Sequence, residues 1–403
     1  MEKNNSTNSF SENKASEVSI FKESNFYAAI LVTTTAVLGI SSLSSALPRL
    51  AECFKVPDES IGLILLFFTL PGIIFSPILG YLSDKFGRKI VLAFALFVFG
   101  LGSLGYFAKD FETLLIIRFI QGIGASTLLS LNVAILGDTF KDRALKFALG
   151  INGVVTSIAL TVFPILGGIL SDINPKSPFL LSMFSFVAFA LLFVLLKESK
   201  RVDYENKVSV PLTNALKGKL LLVFLGTIIT FIVLYGAYLN YFSFLTKYRF
   251  LMSGTLTGIF MGISSLVAAF VSFEIEKITE FFKDEVVYVS AFAFYSISMV
   301  LFLFSTNYLF LTFGSIAFGV AQGINIPLTP HLINKFTDEK IRGFTMTVNG
   351  SMVNLGQTLG PAIFSLAYKF SKLNGVFLLG FVVSLSGVLL TLKLISTSMT
   401  SNS

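Results

Sequence analysis

The chain has few of the residues that perform most protein chemistry. Among its 403 residues there is one cysteine (Cys53), one histidine (His331) and no tryptophan. A single thiol excludes an intramolecular disulfide, and one cysteine with one histidine leaves no Cys/His set for a metal site. The G-x-x-x-x-G-K-[ST] pattern of an ATP-binding loop is also missing. We therefore expect no enzymatic activity, no catalytic residue, no metal and no cofactor.

Charge is scarce as well, at 13% of residues, which is roughly half of the 25% usual in soluble proteins. Long charge-free tracts take its place, each near or above the ~20 residues that a helix needs to cross a bilayer. The tracts are 26–48, 60–83, 90–108, 113–137 (with one charge, Arg118), 147–171, 177–196, 220–246, 250–273, 286–334, 343–368 and 373–392. The tract 286–334 is long enough for two spans. The sequence thus predicts an all-α polytopic membrane protein with twelve transmembrane helices.

The basic residues predict the orientation of these helices. With the N-terminus in the cytoplasm, 21 of the 30 Lys and Arg residues lie on the cytoplasmic side and 8 outside, while Arg118 lies in the membrane. This bias follows the positive-inside rule. It predicts a protein of the cell membrane with both termini in the cytoplasm. The net charge of +7 therefore reflects topology, and we expect no nucleic-acid partner.

Polar segments divide the chain into two halves. Residues 1–25 are rich in Ser, Asn, Glu and Lys without an apolar core, which predicts a disordered cytoplasmic tail and no signal peptide. Residues 197–219 form a polar cytoplasmic linker between an N-terminal half, 26–196, and a C-terminal half, 220–395. Residues 396–403 form a second cytoplasmic tail.

The two halves share short sequences at corresponding positions. Gln-Gly-Ile occurs at 121–123 and again at 322–324, and Pro164 recurs 197 residues later as Pro361. Each proline lies twelve residues after the asparagine of an Asn-Gly pair. Duplicated halves are typical of secondary transporters, which bind the solute between the halves near the bilayer midplane.

Three motifs resemble a known family. Residues 80–89, GYLSDKFGRK, resemble the G-x-L-x-D-[RK]-x-G-R-[RK] loop of the major facilitator superfamily. Residues 118–125, RFIQGIGA, are similar to a motif of its proton-linked members. Residues 163–168, FPILGG, are similar to the G-P-x-x-G-G motif of the twelve-helix drug/proton antiporters, with Phe163 in place of glycine. The resemblance spans about 26–395 and implies two pseudo-symmetric six-helix halves.

The resemblance also implies a cytoplasmic latch that holds the halves together. Its expected residues are Gly80, Asp84, Gly87, Arg88, Asp138 and Arg342. Arg88 is expected to pair with Asp138 and Arg342 to reach Asp84, while the glycines permit a tight turn. The alternative is that these are solvated loop charges that only obey the positive-inside rule.

Proton exchange is likewise implied by the resemblance, because the spans contain no Asp or Glu. Asp84 and Asp138 at the rim are the expected carriers, together with Arg118. A membrane-embedded Arg costs at least ~2.5–3.5 kcal/mol to insert, so Arg118 should face the bundle interior or water. It would bind a substrate anion or repel a proton on a nearby acid. The alternative is a structural Arg that satisfies backbone carbonyls.

Uncharged polar side chains at helical spacing predict the lining of a cavity. The candidates are Thr34, Gln121, Asn152, Tyr235, Tyr238, Gln322, Asn325, Asn354 and Gln357. With 45 Phe in the chain, such a cavity suits a lipophilic or amphiphilic solute. Asn and Gln also join helices to one another, which is the alternative for each of them.

Small residues predict a close helix seam, which the resemblance implies blocks leakage between the halves. They are Pro164, Gly167, Gly168, Gly356, Gly360 and Pro361. The sequence as a whole favours a monomeric secondary transporter that exports small lipophilic compounds by alternating access, in exchange for protons. The alternative function is a facilitator or proton symporter for a neutral small solute.

Overall fold

The structure is a computed structural model that describes residues 20–197, 218–338 and 341–399. Within these residues the chain forms eleven apolar helices long enough to span a membrane. They are α1 Ser24–Ser44, α2 Asp58–Phe86, α3 Arg88–Phe107, α4 Phe111–Thr139, α5 Asp142–Ile173, α6 Ser177–Leu195, α7 Gly218–Phe250, α8 Gly254–Phe281, α9 Asp284–Leu303, α10 Tyr308–Lys335, and Arg342–Met399.

The last of these helices is two spans joined by a sharp break. Ser371 and Lys372 have non-helical backbone angles, with φ of −138° and 51°. We call the part before the break α11 (342–370) and the part after it α12 (373–399). A short helix, Leu47–Phe54, follows α1. The twelve apolar helices that the sequence predicts are thus confirmed.

Side-chain caps define where several spans begin. Asp110, Ser253 and Asn307 precede α4, α8 and α10, and each accepts a hydrogen bond from the backbone N–H three residues on, at 2.8, 3.2 and 3.1 Å. These caps satisfy N–H groups that have no partner within their own helix. All three lie at the same end of the bundle.

A repeated hydrogen bond relates the two halves, α1–α6 and α7–α12. In the first half Thr33 of α1 donates to the side-chain oxygen of Asn152 in α5 at 2.6 Å. In the second half Thr227 of α7 donates to the side-chain oxygen of Asn349 in α11 at 2.9 Å. The first and fifth helices of each half are therefore joined in the same way.

A repeated glycine contact relates the halves a second time. A Cβ atom added to Gly122 in α4 would overlap the carbonyl of Phe68 in α2. A Cβ atom added to Gly323 in α10 would overlap the carbonyl of Ala268 in α8. The Gln-Gly-Ile sequences thus pack the fourth helix of each half on the second. Together these contacts confirm two pseudo-symmetric six-helix halves.

The predicted tails and linker lie mostly outside the described residues. This holds for 1–19, 198–217 and 400–403. Ile20 is fully buried in a small apolar cluster with Phe26 and Leu136, so the described chain packs against the bundle before α1 begins.

Candidate functional site

The two halves meet along α5 and α8. A Cβ atom added to Gly168 of α5 would overlap the carbonyl of Gly254 at the start of α8. One turn further along, a Cβ atom added to Gly258 of α8 would overlap the carbonyl of Pro164. Glycine is therefore required at both positions, because the two backbones are in direct contact there.

A second contact between the halves runs along α2 and α11. The hydroxyl of Thr358 in α11 donates to that of Thr69 in α2 at 3.3 Å. Further along the same helices, the side-chain amide of Asn354 donates to the carbonyl of Gly72 at 3.4 Å. The seam between the halves thus consists of α5 on α8 and α2 on α11.

Two prolines create hydrogen-bond acceptors at this seam. Pro164 has no N–H, so the carbonyl of Leu160, four residues earlier, loses its helical donor. Ser265 of α8 donates to this carbonyl at 3.2 Å. Pro361 has the same effect in α11, where the carbonyl four residues earlier accepts from Thr69 at 3.5 Å. In each case a hydroxyl of the opposite half reaches a carbonyl that the proline leaves without a partner.

Contacts between the halves are concentrated at one end of the bundle and along its middle. We call the end that carries the turn between α2 and α3 the latch end, and the opposite end the sealed end. Toward the latch end, Cβ atoms added to Gly80 of α2, Gly150 of α5 and Gly350 of α11 would have no other atom within 4 Å. The hydrogen bonds described between the halves lie along the seam and at the sealed end, which indicates a wedge-shaped space between the halves toward the latch end.

Charged and polar contacts join the halves at the sealed end. Acids of the first half meet donors of the second half, and we call these contacts the acid clasp. They are Glu52 with Lys247 at 2.5 Å, Asp58 with the hydroxyls of Tyr248 and Tyr368 at 2.9 and 2.8 Å, Glu59 with Lys372 at 3.8 Å, and Asp172 with Gly254 and Thr255. Within the described residues, every acid of the clasp belongs to the first half.

At the latch end, the expected pair between Arg88 and Asp138 is present. The guanidinium of Arg88 donates to both carboxylate oxygens of Asp138, through Nε to one and through Nη2 at 3.3 Å to the other. This bidentate pair ties the start of α3 to the end of α4. Asp84 and Arg342 are both exposed at the same end.

The turn between α2 and α3 is shorter than the sequence suggests. Gly87 has φ of 102°, a conformation that favours glycine, and it is the single residue between the two helices. Gly80 lies within α2, which continues through Pro71 and Pro77 as far as Phe86 and ends at Gly87.

Arg118 is 1% exposed and lies inside the first half. It donates to the carbonyl of Gly39 in α1 at 3.0 Å, to the carbonyl of Ile64 in α2 at 3.2 Å and to the side chain of Gln121 at 2.6 Å. Its guanidinium also lies over the ring of Phe68, 4.1 Å from the centroid. Within the described chain it forms no ion pair. These contacts favour a structural tie between α1, α2 and α4 over the expected coupling role.

The structure does not bring all the predicted cavity residues to the open space. Gln121 is fully buried and donates to Ser182 at 2.9 Å. Gln322 and Asn325 are 8% and 2% exposed within the second half. The partly exposed candidates are Thr34, Asn152, Tyr235, Asn354 and Gln357. Of these, Asn354 and Gln357 lie on the part of α11 that forms the seam with α2.

The two predicted tyrosines lie in an irregular turn of α7. Residues Val233–Tyr238 form a π-helical turn, a feature often found at functional sites. The ring of Tyr238 stacks on that of Phe318 in α10, with centroids 4.0 Å apart. Tyr235 remains partly exposed. Of the two rings, that of Tyr235 is partly exposed and lies against Phe231, and that of Tyr238 is buried.

The predicted packing residues all lie at close helix contacts. Gly168, Pro164 and Pro361 lie at the seam between the halves. Within the halves, Gly167 packs on the carbonyl of Ser42 in α1, while Gly356 and Gly360 pack on the backbone of α7.

The acid clasp was not predicted from the sequence. A signal for it exists, because the sealed-end segments of the second half contain Lys247, Arg249, Lys369 and Lys372 but no acid. The corresponding segments of the first half contain every Asp and Glu of this end. Opposite charge on the facing loops of two halves favours their contact.

A model of the Major Facilitator Superfamily matches residues 29–278 and 250–402. The chain belongs to the major facilitator superfamily. It is 26% identical over 363 residues to the class H tetracycline resistance protein of Pasteurella multocida, covering 85% of this chain and 88% of that protein. It is 22% identical over 386 residues to multidrug resistance protein 1 of Bacillus subtilis (strain 168), covering 92% and 97%.

Solved structures show the same fold. The nucleoside transporter NupG superposes on this facilitator chain with a TM-score of 0.74 at 14% identity, covering 93% of this chain and 98% of the other. The family membership predicted from residues 80–89, 118–125 and 163–168 is thus confirmed. As a member of this family, the protein is a multi-pass membrane transporter.

Replacing Arg118 tests its structural role. Arg118→Met keeps an unbranched side chain but removes the second donor to the helical carbonyls of Gly39 and Ile64 and leaves the buried side-chain oxygen of Gln121 without its donor, and an unsatisfied buried group costs about 1–3 kcal/mol. We expect the melting temperature of the purified protein in detergent to fall by roughly 5 °C. Lys277→Met is the matched control, because Lys277 is exposed and its one ion pair within the described residues is with Glu274 of the same helix, at 2.7 Å. An unchanged melting temperature with an altered pH dependence of transport would contradict the structural role.

Proposed function

We propose that this member of the major facilitator superfamily exports small lipophilic or amphiphilic compounds by alternating access, in exchange for protons. The observation that supports the proposal is that the described hydrogen bonds between the halves lie along the seam and at the sealed end, which leaves a wedge-shaped space between them toward the latch end. One binding space that reaches one side of the membrane at a time is what alternating access requires.

The lining of this space supports a lipophilic solute. Its partly exposed polar candidates carry hydroxyl or amide groups, as in Thr34, Asn152 and Gln357. The apolar tracts that cross the membrane contain no Asp or Glu. The space therefore offers no fixed carboxylate to a multiply charged cation. Binding sites for lipophilic compounds are mostly apolar with a few polar groups that orient the ligand. The drug resistance named for the two relatives supports the same class of solute.

The orientation of the transporter in the cell membrane is part of the proposal. We place the latch end and both termini in the cytoplasm, because 21 of the 30 Lys and Arg residues then lie on the cytoplasmic side. The wedge-shaped space then takes up solute from the cytoplasm or the inner leaflet. A single chain contains both halves of this space, so we propose a monomeric transporter without enzymatic activity.

In the second part of the proposal, charged residues at the latch end hold this end closed and carry protons. The Arg88–Asp138 pair fixes the start of α3 to the end of α4, and Asp84 and Arg342 stand on the two halves at the same end. When this end closes, Asp84 meets Arg342 and the two halves are held together. Asp84 and Asp138 carry protons during the cycle, since they are carboxylates at the cytoplasmic mouth. Arg118 supports coupling indirectly, by keeping α1, α2 and α4 in place.

Dye transport into proteoliposomes tests proton exchange. The probe is a lipophilic fluorophore with no group that titrates between pH 5 and 9, and protein-free liposomes measure its passive leak. We expect the dye to accumulate against its concentration gradient in the more acidic compartment, because protons leave that compartment as dye enters. Reversal of the pH gradient should reverse the direction of movement. Downhill movement that ignores pH would contradict proton exchange and favour a facilitator for a neutral solute.

A carboxamide variant tests the latch. Asp138→Asn removes the charge that Arg88 binds, so the end of α4 loses its tie and we expect dye turnover to fall by about tenfold while dye binding persists. Glu274→Gln is the matched control at the same end, because among the described residues Glu274 pairs with Lys277 of its own helix alone. Equal turnover in the two variants would show that Asp138 is an ordinary loop charge.

A further inference from the structure

Two polar side chains of α7 are buried near the sealed end without hydrogen-bond partners. Asn240 is fully buried, and neither its amide nitrogen nor its amide oxygen has a partner within the described chain. Ser243 is 1% exposed, and its hydroxyl is equally unpartnered there. Lys247, which pairs with Glu52 of the first half, follows one turn later. Because these α7 residues are three and four apart in an α-helical segment, they share one face of the helix.

A glycine of the first half covers Asn240. A Cβ atom added to Gly62, at the start of α2, would overlap the amide nitrogen of Asn240 and the hydroxyl oxygen of Ser365 in α11. The carbonyl oxygen of Pro361 would lie 3.4 Å from the same atom. Asn240 therefore lies where α2 of the first half closes over α7 and α11 of the second half.

The equivalent crossing on the other side of the seam is hydrogen-bonded. There Gly258 of α8 lies against the carbonyl of Pro164 in α5, and Ser45, directly after α1, donates to that carbonyl at 2.8 Å. Asn240 lies at the corresponding point beside Pro361 but donates to no described acceptor. The two crossings therefore differ, since one uses its polar side chain to join helices and the other leaves a buried amide unused.

An unused buried amide destabilises the state that buries it. The group gives up its hydrogen bonds to water when α2 covers it and gains none in return. If α2 moves away from α7, Asn240 meets water or a solute and this cost disappears. The unpartnered side chains of α7 thus favour opening of the sealed end, and they are the polar groups that α7 then exposes.

We propose that Asn240 and Ser243 form a solute-binding surface when the sealed end is open. The proposal rests on the alternating access and lipophilic export proposed above, and it names the chemistry that is recognised. An amide and a hydroxyl each both donate and accept hydrogen bonds, and neither carries a charge. Among lipophilic compounds, this surface therefore selects those that carry a neutral amide, carbonyl or hydroxyl group.

Two phosphonium ions separate this recognition from lipophilicity. Tetraphenylphosphonium has no hydrogen-bonding group, and (4-carbamoylphenyl)triphenylphosphonium differs from it by one carboxamide. The dissociation constant of each is measured by equilibrium dialysis on the full-length protein in detergent, with protein-free micelles as background. A variant that changes how often the sealed end opens affects both ions alike, so the ratio of the two constants reports the contact with the carboxamide.

We expect the parent protein to bind the carboxamide ion about tenfold more tightly than tetraphenylphosphonium. Asn240→Leu keeps a similar volume but removes the donor and the acceptor, so the ratio should fall to about one. Asn349→Leu is the matched control, because Asn349 is also buried but already accepts from Thr227 at 2.9 Å, and its ratio should equal that of the parent. An Asn240→Leu ratio equal to the parent's would overturn the proposal. A parent that shows no preference for the carboxamide ion, or binds neither ion, would overturn it as well.

A thiol on the same face reports its exposure without any ligand. Ser243→Cys in a Cys53→Ser background places the chain's one cysteine on this face of α7. Leu245→Cys in the same background is the matched reporter, because Leu245 is fully buried on the opposite face of the helix. The rate of reaction with a maleimide is measured on the full-length protein in detergent. Each rate is divided by that of the same variant unfolded in SDS, which removes differences between the thiols themselves.

We expect Ser243→Cys to react at least about tenfold faster than Leu245→Cys, because opening of the sealed end uncovers its face. Adding Asn240→Leu should slow Ser243→Cys by about tenfold, since the closed state then buries no unpartnered amide. Equal rates for the two reporters, or a rate that Asn240→Leu leaves unchanged, would overturn the proposal. The comparison of the two reporters needs no Asn240 variant, so it remains decisive if Asn240→Leu folds poorly.

The outcome is separable from that of the proposed function. Dye movement that ignores pH would defeat proton exchange, whereas the affinity ratio would still show whether Asn240 contacts a solute. Conversely, gradient-driven dye transport together with an unchanged ratio in Asn240→Leu would leave the proposed function standing without this binding surface.

Discussion

Where α5 crosses α8, the two halves approach so closely that only glycine backbone fits between them, and Gly168 and Gly258 meet the carbonyls of Gly254 and Pro164. Pro164 also leaves a carbonyl without its helical donor, which a hydroxyl of α8 reaches. A carbonyl that faces lipid would have no such donor and would remain unsatisfied, which the hydrocarbon region does not tolerate. The carbonyl of Leu160 is therefore satisfied across the seam only while the halves are together.

The acid clasp and the seam act on the same end in different ways. The seam depends on shape, since it needs small residues at fixed positions, and it does not respond to pH. The clasp depends on charge, and its carboxylates are partly exposed to water. The sealed end thus combines a contact that depends on shape with one that depends on charge.

Much of the fold could be predicted from the sequence, because apolar length and charge placement are one-dimensional properties. The division of the tract 286–334 into α9 and α10 is one example. The structural role of Arg118 was predicted only as an alternative to coupling, since its partners are backbone carbonyls, which have no sequence signature. The burial of Gln121 and the cap that Asp172 provides were missed for a related reason. Both depend on which helices pack together in three dimensions.

The central claim is that the two halves move as bodies about the seam, so that one end closes as the other opens. Distances between spin labels test it most directly, in a Cys53→Ser background. One pair, at Asn174 and Leu251, spans the sealed end, and another, at Lys146 and Glu276, spans the latch end. When the pH is changed, the account predicts opposite changes at the two ends, so that one distance lengthens as the other shortens. A change at one end alone, or a lengthening at both, would contradict it.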